Sequence, residues 1–505
     1  CRTRAFRRRR GALKTMSIVA AYLPSPDRLP LKRIAALAAL IAFGLFWGVF
    51  VAYQGLSAAL LCVALVVTVF TVRDFRVGVL VMIFIMPVSS SYIFPRSMFG
   101  VTGLNPLNLL LVGTFASYLL AAMPDGSIRR FIPLWVLPVY ILPIILAGLN
   151  GMGNVDLIPA FFFLSESVDF KNWVGYLRDD VMKPLIVVMY ALLVGAAYSR
   201  SRAPEKFLTA AIVSMWIMAL LAIMFFLNSG LKFGQLASEY ARAFFSPLGM
   251  HANDLGRLYA TAFGIVLFAW DTTKKPLLKT MLFFTIGIVC AALFLTFSRA
   301  AIISLVIIGA IYLMSRRNLK TLLLAVVGIP IALLLMPGAI WYRLGMGVED
   351  GATGMSAGRV SDIWEPLIPQ LFDKPFFGHG VQSVLWAPAM RMGDMFAVTH
   401  PHSAYLGALI DFGVVGALLL IAFWFTVWKG LRRLAKDPEL APHQRGFFEG
   451  AAASLVAFMA AGFVGSSLTP VPEQAFLWLA TGMMFGVQAK RLLASDLARR
   501  MGRKA

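Results

Sequence analysis

Apolar residues along this chain fall in runs about as long as a bilayer is thick, separated by short polar stretches. A span needs roughly 17 to 25 apolar residues, and on that measure the pattern predicts about fourteen membrane-spanning helices. They are Ile34–Phe50, Leu56–Val72, Val77–Ser91, Pro106–Ala122, Phe131–Leu149, Val181–Tyr198 and Phe207–Leu227 in the first half. Ala252–Asp271, Thr280–Phe297, Ala300–Met314, Leu319–Met336, Ala404–Trp428, Phe447–Ser467 and Gln474–Ala489 complete the set. The polar stretches between them alternate in kind. One kind is basic: Arg2–Arg33, Arg73–Arg76, Arg129-Arg130, Ser199–Lys206, Lys274–Lys279, Arg316–Lys320, Lys429–Arg445 and Lys490–Lys504. The other is longer and mixed in charge: Pro87–Asn105, Asn150–Asp180, Asn228–His251 and Pro337–His402. Basic loops stay in the cytoplasm, so the first kind marks that side, and an even number of spans leaves both termini there. The expected fold is therefore all-α: a polytopic membrane helical bundle over 34–489, with basic tails at 1–33 and 490–505. A long periplasmic loop, 337–405, would carry short interfacial helices.

Composition agrees with this class. Of 505 residues, 59% are hydrophobic and 14% charged, where soluble domains carry about 25% charged residues. The net charge of +22 would point to nucleic acid if it formed a patch on a soluble domain. Here the cations sit in the connections and encode orientation, so no nucleic-acid partner is expected. Cys62 and Cys290 lie inside apolar runs, and no CxxC pair exists, which leaves neither a disulfide framework nor a cysteine metal site.

The mixed-charge face carries the candidate chemistry. His251, His379, His400 and His402 all fall on it, whereas His443 falls on the basic face. Just before a span come Tyr240, Arg242, His251, Asn253, Asp254 and Gly256. A planar guanidinium such as that of Arg242 forks two hydrogen bonds to phosphate oxygens. His251 and Asn253 at a helix start can bind an anion or a sugar hydroxyl, or serve as a turn and N-cap. From Arg359 to Phe372, Val360, Ile363, Trp364, Leu367, Ile368, Leu371 and Phe372 repeat with helical spacing. This predicts an interfacial helix that Pro366 and Pro369 must bend or shorten. His400 and His402 lack a third protein ligand nearby, so no metal and no cofactor is expected. His402 suits hydrogen bonding or proton transfer, or capping of the next helix. With no phosphate-binding glycine loop in the chain, an activated donor on this face would be lipid-linked. Arg242 and Arg359 would then hold the departing pyrophosphate while His402 orients the acceptor hydroxyl.

In order, the motifs are Arg242…Asn253-Asp-Leu-Gly256, Thr296-Phe-Ser298-Arg299, and Ser356-Ala-Gly358-Arg359…Trp364. Lys374-Pro-Phe-Phe-Gly378-His-Gly380 and His400-Pro-His402-Ser-Ala-Tyr405…Asp411-Phe-Gly413…Gly416 follow. This ordered set, from about Arg242 to Gly416, resembles the O-antigen ligase and polysaccharide polymerase superfamily of bacterial inner-membrane glycosyltransferases. The resemblance implies metal-independent transfer of a glycan from undecaprenyl pyrophosphate on the periplasmic side. It assigns catalysis to His402, Arg359 and Arg242, with Tyr405 and Asp411 in support; His400, Asn253, His251, Arg299 and Tyr405 are the expected substrate-binding residues. Ser403 departs from the family pattern, which usually has asparagine there. The acceptor is either another lipid-linked repeat unit (a polymerase, favoured by length and span count) or lipid A–core (a ligase). Membrane lipid and other polysaccharide-assembly proteins complete the expected partners. The competing class is a lipid-linked oligosaccharide flippase, which would show inverted repeats and polar groups at mid-membrane.

Overall fold

The computed structural model describes residues 31–54, 56–92, 97–98, 101–102, 105–124, 131–238, 240–334, 336–346, 354, 356 and 358–502. The expected basic tail before Leu31, Arg96 and the Arg129-Arg130 connection lie outside them. The chain divides into two compact units, 1–66 and 67–505. In the first, helix α1 (Leu31–Gln54) is apolar after Lys32 and Arg33 as far as Tyr53, and the rings of Phe43, Phe46, Trp47 and Phe50 pack along it, edge to face or stacked. Helix α2 (Leu56–Arg73) runs across the boundary.

The second unit is helical. Its main elements are α3 (Phe75–Ile85), α4 (Pro106–Ala122), α5 (Leu142–Gly151), α6 (Lys183–Ser199), α7 (Glu205–Asn228) and α8 (Ala252–Thr272). They continue with α9 (Pro276–Leu295), α10 (Arg299–Ser315), α11 (Ala404–Ala435), α12 (Pro442–Ala461) and α13 (Ala475–Gly502). A two-residue pairing of Ser97–Met98 with Val101–Thr102 is the only β structure among the described residues. Each expected apolar run is helical over most of its length, but among the described residues six helical segments are both long and apolar enough to cross a membrane: Leu137–Leu157, Trp173–Ser199, Glu205–Asn228, Pro276–Leu295, Ala404–Ala435 and Pro442–Val464. The others are shorter, interrupted or more polar; α8, for instance, carries Asp254, Arg257 and Asp271. The last helix continues through the basic residues after 490 as far as Gly502. Small residues let backbones approach where packing is tightest, as where α8 and α12 meet at Gly264 and Gly450.

Proline shapes the interruptions. Wide π-turns at Leu137–Ile141, Leu177–Met182, Leu324–Gly328 and Val360–Trp364 each lead into a helical stretch whose second residue is proline: Pro143, Pro184, Pro330 and Pro366. A proline ring clashes with the carbonyl four residues back and offers no N–H to it, so the preceding turn widens by one residue instead of breaking. The expected interfacial helix takes this form. Pro366 does not cut it, and after the π-turn the helix runs on through Pro369 to Asp373. The Asp362 carbonyl, four residues before Pro366, accepts the Phe396 N–H instead, at 2.9 Å.

Helix α11 is broken at Gly413, whose φ of 64° and ψ of −176° are non-helical. The loop from Pro375 to Gly380 fills the break. His379 N–H donates to the Ile410 carbonyl (2.9 Å) and Gly380 N–H to that of Asp411 (3.0 Å). In return Val414 N–H donates to the Pro375 carbonyl (2.8 Å) and Val415 N–H to that of Phe376 (3.2 Å). Non-helical backbone inside an apolar bundle is tolerable only when its polar groups are satisfied by protein, and here two irregular segments satisfy each other. A Cβ at Gly413 would run into the backbone of Phe376 and Phe377, so glycine is required by conformation and by space.

Candidate active site

A polar cavity of about 480 Å³ opens where the first turns of α6, α8 and α11 meet the connection between α12 and α13. Asp179, Asp180 and Lys183 line it from the start of α6, Asp254 and Arg257 from α8, and His400, Ser403 and Asp411 from α11 and the segment before it. Ser466 to Glu473 close it from the connection.

Helix α8 begins with a reciprocal cap. His251 Nδ1 accepts the Asn253 N–H (3.2 Å), and Asp254 Oδ2 accepts the His251 N–H (3.3 Å). The cap is therefore His251, and Asn253 contributes its backbone to it. One turn in, Arg257 is nearly sealed from solvent at 5% exposure. Its Nε and Nη2 each lie 3.0 Å from a Glu473 oxygen, and Nη2 donates to Asp254 Oδ1 at 2.6 Å. Ser466 Oγ donates a short hydrogen bond to Glu473 as well. Burial by itself would raise the Glu473 carboxyl, but the charge and hydrogen bonds of Arg257 outweigh it and hold the group below its ordinary range. Removing one partner of such a pair strands the other charge, a loss of about 3–5 kcal/mol. The pair thus pins the 465–473 connection to α8.

His400 and His402 stand with ring centroids 4.3 Å apart. His402 adopts a left-handed backbone (φ 54°), which is costly for a residue with a Cβ. It does not cap α11; Ser403 does, accepting the Leu406 N–H at 3.4 Å. The segment is held in place by Trp364, whose Nε1 donates to the Pro401 carbonyl at 2.7 Å. Burial, then the electrostatic influence of its neighbours His400, Arg359, His251 and Arg257, pushes the His402 imidazole down to about 3. His400, exposed to the cavity but crowded by protein on its other sides, is lowered first by that crowding and then by Arg257. Both rings are accordingly neutral at physiological pH and can accept hydrogen bonds. Arg359 caps the π-turn beside them and donates Nη1 to the Val464 carbonyl at 2.8 Å.

Asp411, on α11 just before the break, is clasped by the N–H of Gln382 (3.1 Å) and by the N–H and hydroxyl of Ser383 (3.0 and 2.6 Å). Gln382 is also left-handed, at φ 63°, and Ser466 at φ 68°. With His402, strained non-glycine backbone thus gathers around this cavity, the kind of place where strain is retained for function.

The residues expected from the sequence divide into groups. His400 and His402 stand ring to ring, and His251 and Arg359 lie near enough to His402 to act on it electrostatically. Tyr405 donates its hydroxyl to the Met459 carbonyl (2.7 Å) and packs on Phe463 at 4.5 Å, tying α11 to α12. Arg299 donates to the Met346 carbonyl at 3.0 Å. The turn before it is structural: Thr296 and Ser298 satisfy the end of α9 and the start of α10, and Gly256 gives them room against α8. Arg242 is buried on the 3-10 turn Tyr240–Leu248, which packs on α7 and α8, and does not line the cavity. Sequence reasoning passed over Asp180, Gln382 and Glu473 and gave Arg257 no partner. The signal was there: ionisable residues inside or beside apolar runs are rare and functional.

A helical membrane protein with a polar, mainly acidic cavity at helix starts, holding Arg257 and His400 and flanked by His402 and Arg359, is the class defined by these features. Residues 283–421 match the family described as O-antigen ligase (Wzy_C). That segment contains Arg299, Arg359, His400, His402, Tyr405 and Asp411, and the match supports the O-antigen ligase and polymerase superfamily, with glycosyl transfer as its reaction class. No curated protein matches the chain.

Proposed function

We propose that the protein transfers a glycan from a polyprenyl pyrophosphate, undecaprenyl pyrophosphate in a bacterial inner membrane, to a sugar hydroxyl, without a metal, at the polar cavity and on the periplasmic face. The observation that carries this reading is the assembly of His251, His400, His402 and Arg359 beside that cavity, on a segment matching the O-antigen ligase family. Such a donor brings its own leaving group, so the protein's task is to hold charge and to orient the acceptor. Arg359 holds the pyrophosphate, and the neutral imidazole of His402 accepts a hydrogen bond from the incoming sugar. The acceptor is a second lipid-linked repeat unit, making the enzyme a polymerase of O-antigen or exopolysaccharide; the alternative is lipid A–core, the ligase reaction.

Replacing His402→Ala or Arg359→Lys should abolish surface glycan, a loss of at least about 100-fold for removal of one such group, with the protein still in the membrane at normal abundance. Normal glycan from both variants would remove the catalytic assignment. The lipid-linked material that accumulates in a deletion strain separates the two acceptors: single repeat units mean polymerase, and full-length unattached chains mean ligase.

A further inference from the structure

Acidic side chains outnumber cations in the wall of the polar cavity: Asp179, Asp180, Asp254, Asp411 and Glu473 against Lys183 and Arg257. All but one are fully engaged. Asp179 is paired with Arg178 (2.7 Å) and Lys183 (2.6 Å), and Asp254 and Glu473 with Arg257. Asp411 is clasped by Gln382 and Ser383. Asp180 differs. Its Oδ1 accepts a single long hydrogen bond, 3.5 Å from Gln382 Nε2, and its Oδ2, shielded from bulk water, accepts none. A buried carboxylate oxygen without a donor costs free energy, so a native structure that keeps one is poised for a donor that arrives later.

Two features of the backbone present this carboxylate. It sits in the π-turn that Pro184 imposes, and such turns recur at functional sites. Gln382 is held left-handed by the Asp411 clasp with its amide toward Asp180, leaving the second oxygen for a ligand. The terminal torsion of an aspartate is soft, so a small rotation turns Oδ2 to the cavity. We propose that Asp180, supported by Gln382, forms the acceptor-sugar subsite and takes the proton of the attacking hydroxyl. This rests on the glycosyl-transfer reading above and assigns the base within it. The oxygen of the acceptor hydroxyl forms a bond to the donor's anomeric carbon as the bond from that carbon to the pyrophosphate oxygen breaks. The bonding pair leaves with the polyprenyl pyrophosphate, and the hydroxyl proton passes to the Asp180 carboxylate, which later returns it to water. An imidazole as weakly basic as that of His402 is poorly matched to this proton transfer.

The test uses the full-length protein in proteoliposomes with a polyprenyl-pyrophosphate-linked glycan and a soluble sugar acceptor. Asp180→Asn keeps the shape of the site and the contact with Gln382. Its initial rate should fall by about 10²–10⁴-fold with donor affinity unchanged, and sodium formate should restore part of the rate to Asp180→Ala. An Asp180→Asn rate within a few-fold of wild type would overturn the assignment while leaving glycosyl transfer intact. So would a rate loss that comes with lost donor binding and is not relieved by formate, since a structural role alone gives that pattern. A wild-type protein that forms no glycosidic product would overturn the reaction itself, and this assignment with it.

Discussion

At the scale of single residues, the site is governed by what surrounds each charge. His402 is driven down to about 3, first by burial and then by the cations around it. Its ordinary value is 6.5, so between those limits the unfolded chain binds a proton that the folded chain refuses. The contribution of His402 to stability therefore falls as pH drops from about 6.5 toward 3 and is level above that window. His400 acts in the same direction, and Glu473 adds a further loss only below its ordinary 4.5. The slope from His402 is at most about 1.4 kcal/mol per pH unit, reduced by solvent screening at a half-buried ring. Compared with His402→Gln, the melting temperature of the wild-type protein should change in parallel from pH 8 to 7 and fall further from pH 6 to 5. Equal slopes in the two proteins would show that this imidazole is not the source.

At the scale of elements, the break in α11 is the device that sets the site. By exposing backbone groups at Ile410, Asp411, Val414 and Val415, it lets the Pro375–Gly380 loop bind there, and Gln382 and Ser383 follow within reach of the Asp411 carboxylate. The Gly413→Ala variant should lose roughly 1–3 kcal/mol, since a Cβ is strained at this φ and has no space beside Phe376. As a control, Gly287 lies within α9 with open space around it. Gly287→Ala should be neutral or slightly stabilising, by up to about 1 kcal/mol. Melting temperatures in detergent decide this: the first variant must fall and the second must not.

At the scale of the whole molecule, orientation follows from charge. The alternation of basic and mixed connections predicts that 337–405 lies opposite the basic loops. In a background with Cys1, Cys62 and Cys290 replaced by serine, Met392→Cys should react with a membrane-impermeant maleimide on intact spheroplasts. Glu439→Cys, exposed in the basic connection after α11, should react only after permeabilisation. The opposite pattern would move the site to the cytoplasmic face and remove the lipid-linked donor from the proposal.

Much was legible in the sequence because it is encoded locally. Hydrophobic run length marks where the helices lie, and the ordered motifs marked the segment that matches the O-antigen ligase family. Even the motif glycines have local meaning, since Gly378 and Gly413 adopt backbone that other residues resist. Local patterns go no further than this. Leu319–Met336 reads as one apolar run, yet it folds as short helices around a π-turn before Pro330. His251, not Asn253, caps α8, because the capping partner depends on which side chain reaches the free N–H groups. The sequence by itself determined the helical class, the apolar segments and the residue types available for chemistry. Only the tertiary structure decided that Arg257 meets Glu473 across 216 positions, that Asp411 is clasped from 28 and 29 positions away, and that Asp180 keeps one oxygen unengaged. Those outcomes depend on which charges are desolvated together, and desolvation is a property of packing, which no single stretch of chain contains.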